Sequence, residues 1–280
     1  MAISGDGSQA NPWVVHNWEE FSEVNVVGSG GKYLKFADGG GIIDFNTIQP
    51  DGYTSTYTIY PHVDGNGWVW RNLYLKGGKM GFYYSISNLK LLNVYSVGTQ
   101  TNPITSSNVA TNIVISGVFD MTHSSNILIP FYAATGTSRS SFNYKSRGQR
   151  FACCGASSNS FNFTQCRFNL DVSVSGKAYL CSSQNVLNNC LFTGRIYGGA
   201  ELSSTEYFLP VNSTTNAINN VLDVAANSTV LQSLSKVSTI NLYNTDKLTF
   251  SNTSSYVVGL NTAGLANADT IAATGFPIGV

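Results

Sequence analysis

Charged side chains are scarce in this chain. Asp, Glu, Lys and Arg make up 11% of its 280 residues, under half the roughly 25% usual in globular proteins. Exposed helices are normally rich in Glu, Lys and Ala, so the shortage argues against a helical fold. The 15 basic and 15 acidic residues cancel, and zero net charge gives no pull toward nucleic acid or an anionic membrane surface. No run approaches the roughly 18 apolar residues of a membrane span. The five cysteines lack metal-ligand spacing, and a chain of this length needs no disulfide staples, so buried free thiols are expected. Residues 1–7 have neither a basic nor an apolar leader region, which predicts a product made without a secretory signal. Asn, Ser, Thr and Gly stand in for the missing charge, with 15 Tyr and 15 Phe. Such a mixture suits strands and turns.

A weak internal period organises these residues. "SNLKLLNVYSVG" (Ser87–Gly98) sets over "TNIVISGVFDMT" (Thr111–Thr122) with Asn88 on Asn112, an offset of 24, Val94 on Val118 and Tyr95 on Phe119. "FNFTQCRF" (Phe161–Phe168) sets over "NVLNNCLF" (Asn185–Phe192) with Cys166 on Cys190 and Phe168 on Phe192, again 24. The spacing puts the two pairs in phase, since Ile113 to Phe161 is 48 residues, two periods. Upstream, "WVWRNLYLKG" (Trp68–Gly77) aligns with Leu89–Gly98 at an offset of 21, with Asn72 on Asn93 and Tyr74 on Tyr95.

Each unit holds two short alternating runs around a bend bearing Asn, Gly or Ser. Alternation marks strands with one buried face. A period near 24 fits one coil of a right-handed parallel β-helix, whose equivalent residues stack about 4.8 Å apart. Asn tolerates the left-handed conformation that such bends need. A leucine-rich repeat lacks its signature here, and a β-sandwich or jelly roll is the non-repeat alternative. Cys166 and Cys190 would stack as thiols inside the core.

Residues 1–32 read as an entry segment in which Asn17 caps a short helix, "WEEFSEV". Trp13, Trp18 and Phe21 would form a lid on the open end of the solenoid. Coils span 33–255, less regular after about 200. Residues 256–280 read as a second cap, with Asn261 or Thr262 opening a helix, Gly275 stopping it and Pro277 preventing its continuation.

"GDGSQANPWVV", the short helix and "GKYLKFADGGGIIDF" together resemble the entry segment of right-handed parallel β-helix proteins of phage virions and bacterial surfaces. The tail "ADTIAATGFPIGV" is similar to the ending of such chains. The family's Asp-Ile-Asp is reduced here to Ile43-Asp44-Phe45. The resemblance implies a virion protein of spike, fibre or decoration type, assembled in the host cytoplasm beside other virion proteins. A homotrimer follows by the same analogy.

Sequence motifs for nucleotide, zinc-protease or serine-hydrolase chemistry are absent. "GGGIID" (Gly39–Asp44) has no helix after it to bind phosphate and reads as a tight corner. His16, His62 and His123 are scattered. No cofactor and no metal site are expected. Polysaccharide-cleaving β-helices need paired carboxylates on one face. The coil candidates are Asp44, Asp64, Asp120 and Asp171, and the last two are 51 residues apart, near two periods. The one marked charge asymmetry is Arg139, Lys145, Arg147, Arg150, Arg167 and Lys177 against Asp171 alone. It reads either as a solvated face or as a docking face for an acidic partner, a virion protein or an anionic glycan. Poor aromatic interleaving argues against nucleic acid. Trp68 and Trp70 share one side of a strand and are candidate glycan-stacking rings.

The expected function is therefore a non-enzymatic structural subunit of a phage particle that touches host-surface polysaccharide. A polysaccharide depolymerase or lyase and a glycan-binding adhesin module are the alternatives.

Overall fold

The computed structural model describes residues 3–122, 127–154, 161–181, 185–200, 217–218, 220–226, 241–248 and 257–265. The chain winds as a parallel β-helix of about seven turns. Its first face is a nine-stranded sheet of Trp13–Val15, Tyr33–Phe36, His62–Asp64, Ile86–Ser87, Val109–Thr111, Gly136–Ser138, Phe161–Thr164, Asn185–Asn188 and Ala217–Ile218. The second face is longer-stranded and runs from Ile42–Asp44 through Lys90–Gly98, Val114–Met121, Ser141–Ser146, Arg167–Val174 and Leu191–Gly198 to Val257–Leu260. A third, four-stranded face comprises Thr56–Ile59, Lys79–Phe82, Ile104–Ser106 and Phe131–Ala133. All strand pairs within these sheets are parallel, each strand lying on the one a coil earlier.

Alternation sets which side chains enter the core. In Arg167–Val174 the even positions Phe168, Leu170, Val172 and Val174 are buried, while Arg167, Asn169 and Ser173 face out. Coil-on-coil register then stacks like on like: Phe168 lies 4.9 Å from Phe142 and 4.7 Å from Phe192 between ring centroids. Cys166 and Cys190 are buried free thiols one coil apart, as is the buried Cys153 elsewhere in the core. Cys154 and Cys181 are register partners on the backbone.

The Asn alignments hold, for a conformational reason. Asn88, Asn112, Arg139, Gln165 and Asn189 form one column of left-handed residues, with φ between 50° and 56°. Asn side chains in such a column bridge neighbouring coils. Asn112 Nδ2 donates to Asn88 Oδ1 (2.7 Å), and Asn88 Nδ2 donates to Asp64 Oδ1 (2.9 Å). A second ladder runs Asn93 to Asn72 (2.6 Å) to Asp44 (2.8 Å). Each ladder starts on an Asp, because the first rung only has to accept.

Two parts of the predicted register are corrected. Val94 pairs with Gly117 and Tyr95 with Val118, not with Val118 and Phe119. Asn93, at φ 54°, adds a residue to the earlier strand, a β-bulge that slips the register by one. Gly117 suits the slip, since a Cβ there would lie 2.1 Å from the Val94 carbonyl oxygen. The middle coils are also longer than 24. Thr111 pairs with Ser138 and Ser138 with Thr164, steps of 138 − 111 = 27 and 164 − 138 = 26. The 48-residue phase between the two aligned pairs is therefore coincidental.

The entry segment caps the solenoid and also begins it, because Trp13–Val15 is already the edge strand of the first face. Helix α1 (Trp18–Val24) follows, with the Asn17 side chain accepting from Glu20 N at 2.8 Å. Glu20 reaches back to His16, accepting from its backbone N–H and contacting Nδ1, both at 2.8 Å. The arrangement is a capping box displaced by one residue, since Glu20 accepts from His16 N and not from Asn17 N. Phe21 is fully buried and, with Trp18, packs on Phe36, Phe45 and Trp70. A short helix α2 (Phe45–Ile48) is capped by Asp44. At the other end, α3 (Thr262–Leu265) begins after Asn261, whose side chain accepts from Gly264 N at 2.8 Å. Leu265 joins Val221 and Leu242 in a small cluster apart from the main core. The expected helix beyond Leu265, with Gly275 and Pro277, lies outside the described residues.

Candidate functional site

The long strands of the second face carry the groove of interest. Parallel register sorts their outward residues into columns: Asn143, Asn169 and Thr193 in one, Lys145, Asp171 and Arg195 two positions on, and Arg147 two further. A groove of about 320 Å³ lies over them, lined by Asn93, Ser116, Gly117, Val118, Asn143, Tyr144, Lys145, Asn169, Leu170 and Asp171. Those residues come from four consecutive strands, so the groove runs along the solenoid axis, across the strands. Backbones approach closely here. Like Gly117, Gly194 is irreplaceable by shape, since a Cβ would lie 2.0 Å from the Leu170 carbonyl oxygen and φ is 92°.

Amides and hydroxyls make the groove polar. Asn169 Nδ2 donates to Asn143 Oδ1 (3.3 Å), and Thr193 Oγ1 donates to Asn169 Oδ1 (3.4 Å). Beside them, Asp171 is held by two guanidinium groups, Arg195 Nε at 2.7 Å and Arg147 at 2.9 Å. The Arg195 hydrogen bond chiefly holds the Asp171 carboxyl below its ordinary range; burial opposes it, and the Arg147 hydrogen bond and both guanidinium charges add to the lowering. At neutral pH it is ionised and accepts only. Asp120 accepts from Arg147 N at 2.6 Å. Both candidate acids thus meet at one residue, Arg147, on one face.

The remaining sequence candidates divide. Of the six predicted basic residues, Lys145, Arg147 and Arg167 share the outer face of this sheet. Arg139 occupies the left-handed corner column, its Nε donating to Gln165 Oε1 at 3.4 Å. Arg150 and Lys177 stand at the next corner, where Arg150 donates to the Tyr179 hydroxyl at 3.2 Å. The basic stretch is thus not one continuous face, because successive coil corners turn it. Arg195 belongs to the cluster and was missed, although it lies one period after Asp171, 195 − 171 = 24.

Asp44 and Asp64 serve structure, as bases of the two Asn ladders. Asp44 also pairs with Arg71 at 2.8 Å. His16 holds the α1 cap, and His62 binds Ser85 Oγ at 2.7 Å. His123 lies outside the described residues. Trp68 and Trp70 do point the same way, but inward. They are 6% and 0% exposed, and Trp68 Nε1 donates to the Ala37 carbonyl oxygen. Neither ring offers a face to a ligand, which corrects the glycan-stacking assignment. Alternation places two residues on one side without saying which side, and Val69 between them gave no polar contrast. The outward aromatic pair on this sheet is Tyr74 and Tyr95, stacked at 5.2 Å, with Tyr95 43% exposed.

Among the described residues, no group of three or more His, Cys, Asp or Glu could hold a metal ion. No described helix is long and apolar enough to cross a membrane. No family model matches this chain, and neither a curated protein nor a solved structure does.

Proposed function

We propose that this chain is a non-enzymatic structural subunit of a phage virion, a short β-helical spike, fibre or decoration protein, with the axial groove as its contact surface. The observation that carries the binding role over catalysis is the clamped Asp171. Both Asp171 oxygens are engaged by guanidinium groups, Oδ1 by Arg195 and Oδ2 by Arg147, which suits a fixed recognition surface better than a carboxyl free to attack a sugar or to pass a proton to a leaving group. A capped solenoid with stacked core rings suits a rigid spacer, and the entry and exit segments supply the resemblance to virion β-helices. A homotrimer beside other virion proteins is the expected assembly, by analogy. Mass spectrometry of purified particles with copy-number estimation tests this role. Detection at a fixed, repeated copy number is expected, and absence from the particle defeats it.

The second reading, a polysaccharide depolymerase or lyase, is favoured by one feature: Asp120 and Asp171 converge on Arg147. Sugar release from host capsule that disappears in Asp120→Asn would establish it.

A further inference from the structure

We infer that the groove binds an anionic polysaccharide lying along the solenoid axis, with Lys145 and Arg167 reading its charges. The inference rests on the groove being the contact surface proposed above, and it adds the ligand class, its direction and the residues that select it.

Charge is the first ground. In the five strands from Lys90 to Gly198, with the adjoining Arg147, the outward ionic residues are Lys90, Lys145, Arg147, Arg167 and Arg195 against Asp120 and Asp171. Five cations minus two anions leave +3 on one face of a chain whose net charge is zero. The anions are satisfied internally: Asp171 by Arg147 and Arg195, Asp120 by the Arg147 backbone N–H. Lys145 and Arg167 are exposed, and neither has an ion-pair partner among the described residues. Two unpaired cations therefore stand on opposite sides of the Asn143–Asn169 amides, Arg167 two positions before Asn169 and Lys145 two positions after Asn143.

Periodicity is the second ground, and it chooses among polyanions. The groove presents one set of polar groups per coil, about 4.8 Å apart. That spacing is comparable to the rise per sugar of an extended glycan. An extended peptide advances about 3.3 Å per residue with alternate side chains reversed, so its acids fall out of step with the coils. Single-stranded nucleic acid is bound on stacking aromatic platforms, and the groove lining contains only the buried Tyr144. Amides and hydroxyls from Asn93, Ser116, Asn143 and Asn169 suit sugar hydroxyls instead.

Titration of the full chain with oligomers of polygalacturonate, hyaluronan and a sulfated glycosaminoglycan tests this, with dextran, polyglutamate and oligo-dT as comparators. At least one acidic glycan should bind, more weakly as salt rises. Lys145→Glu with Arg167→Glu should weaken it by roughly tenfold or more. Asn143→Ala with Asn169→Ala should weaken the glycan while leaving polyglutamate unchanged. All four side chains face outward, and a wild-type melting temperature would show that the variants fold. Dextran binding as tight as the acidic glycans removes the charge reading. Equal binding of polyglutamate or oligo-dT reduces the site to unspecific electrostatics. No binding by any of the three acidic glycans overturns the inference. These outcomes are independent of whether the chain is found in particles, which decides the virion role alone.

Discussion

Replacing Phe21 by Ala removes the centre of the lid. Phe21 is fully buried and its ring lies 4.9 Å from Trp18, 5.8 Å from Phe36 and 5.5 Å from Trp70. A buried Phe→Ala change costs about 3–5 kcal/mol, from lost transfer energy and the cavity left behind. Lost aromatic pairs, at about 0.5–1.5 kcal/mol each, push the value toward the upper end without adding in full. In a solenoid each coil leans mainly on its neighbours, so the damage should stay near the N-terminal end before it spreads. Amide hydrogen exchange resolved by segment is the right assay, with urea melts beside it. Trp13–Val15 and Tyr33–Phe36 should exchange fast in Phe21→Ala, while Ser141–Ser146 and Arg167–Val174 keep their protection. Glu23→Ala, on the exposed side of the same helix, should stay within about 0.5 kcal/mol of wild type. A loss below about 1 kcal/mol for Phe21→Ala, or uniform loss of protection along the chain, would refute the lid.

Two further predictions concern the ladders and the groove. Asn112 has φ 52° and donates to Asn88. Asn112→Ala should cost roughly 2 kcal/mol, from strain in the left-handed region and one lost hydrogen bond. Asn112→Gly loses only the bond and should cost about half as much in urea melts; Gly worse than Ala would contradict the conformational explanation. Asp171 has a lowered folded pKa, so its stabilisation is present above the unfolded value near 3.9 and is lost as pH falls through the folded value. Asp171→Asn should therefore be less stable than wild type at pH 7, with the gap closing below about pH 4. An unchanged gap at pH 2 and pH 7 would rule out that linkage.

The alternating runs, the recurring Asn and the capped helix at Asn17 were readable because each is set by local chemistry. Alternation follows from strand geometry, Asn at a bend from its tolerance of positive φ, and a helix start from a side-chain acceptor three residues before a free N–H. The groove was half readable. Lys145, Arg147, Arg167 and Asp171 were visible as a charge cluster, yet Arg195 was left out and Arg139, Arg150 and Lys177 were wrongly included. Which charges share a face depends on coil length, and the steps between paired strands here range from 16 residues (Asn241 to Val257) to 30 (Leu191 to Val221).

By itself, the amino-acid order determined a parallel β-helix with a helical lid at its start, since stacked coils demand like residues at near-equal intervals. Only the tertiary structure decided where the coils slip. The bulge at Asn93 and the closeness of Gly117 to Val94 shift the register by one residue, and with it every outward side chain that follows. It also decided that Trp68 and Trp70 turn into the core, where Trp68 packs on Phe36 and Trp70 on Phe82 and on the lid rings Trp18 and Phe21. Contacts between residues a coil apart settle such matters, and no local signal in the chain encodes them.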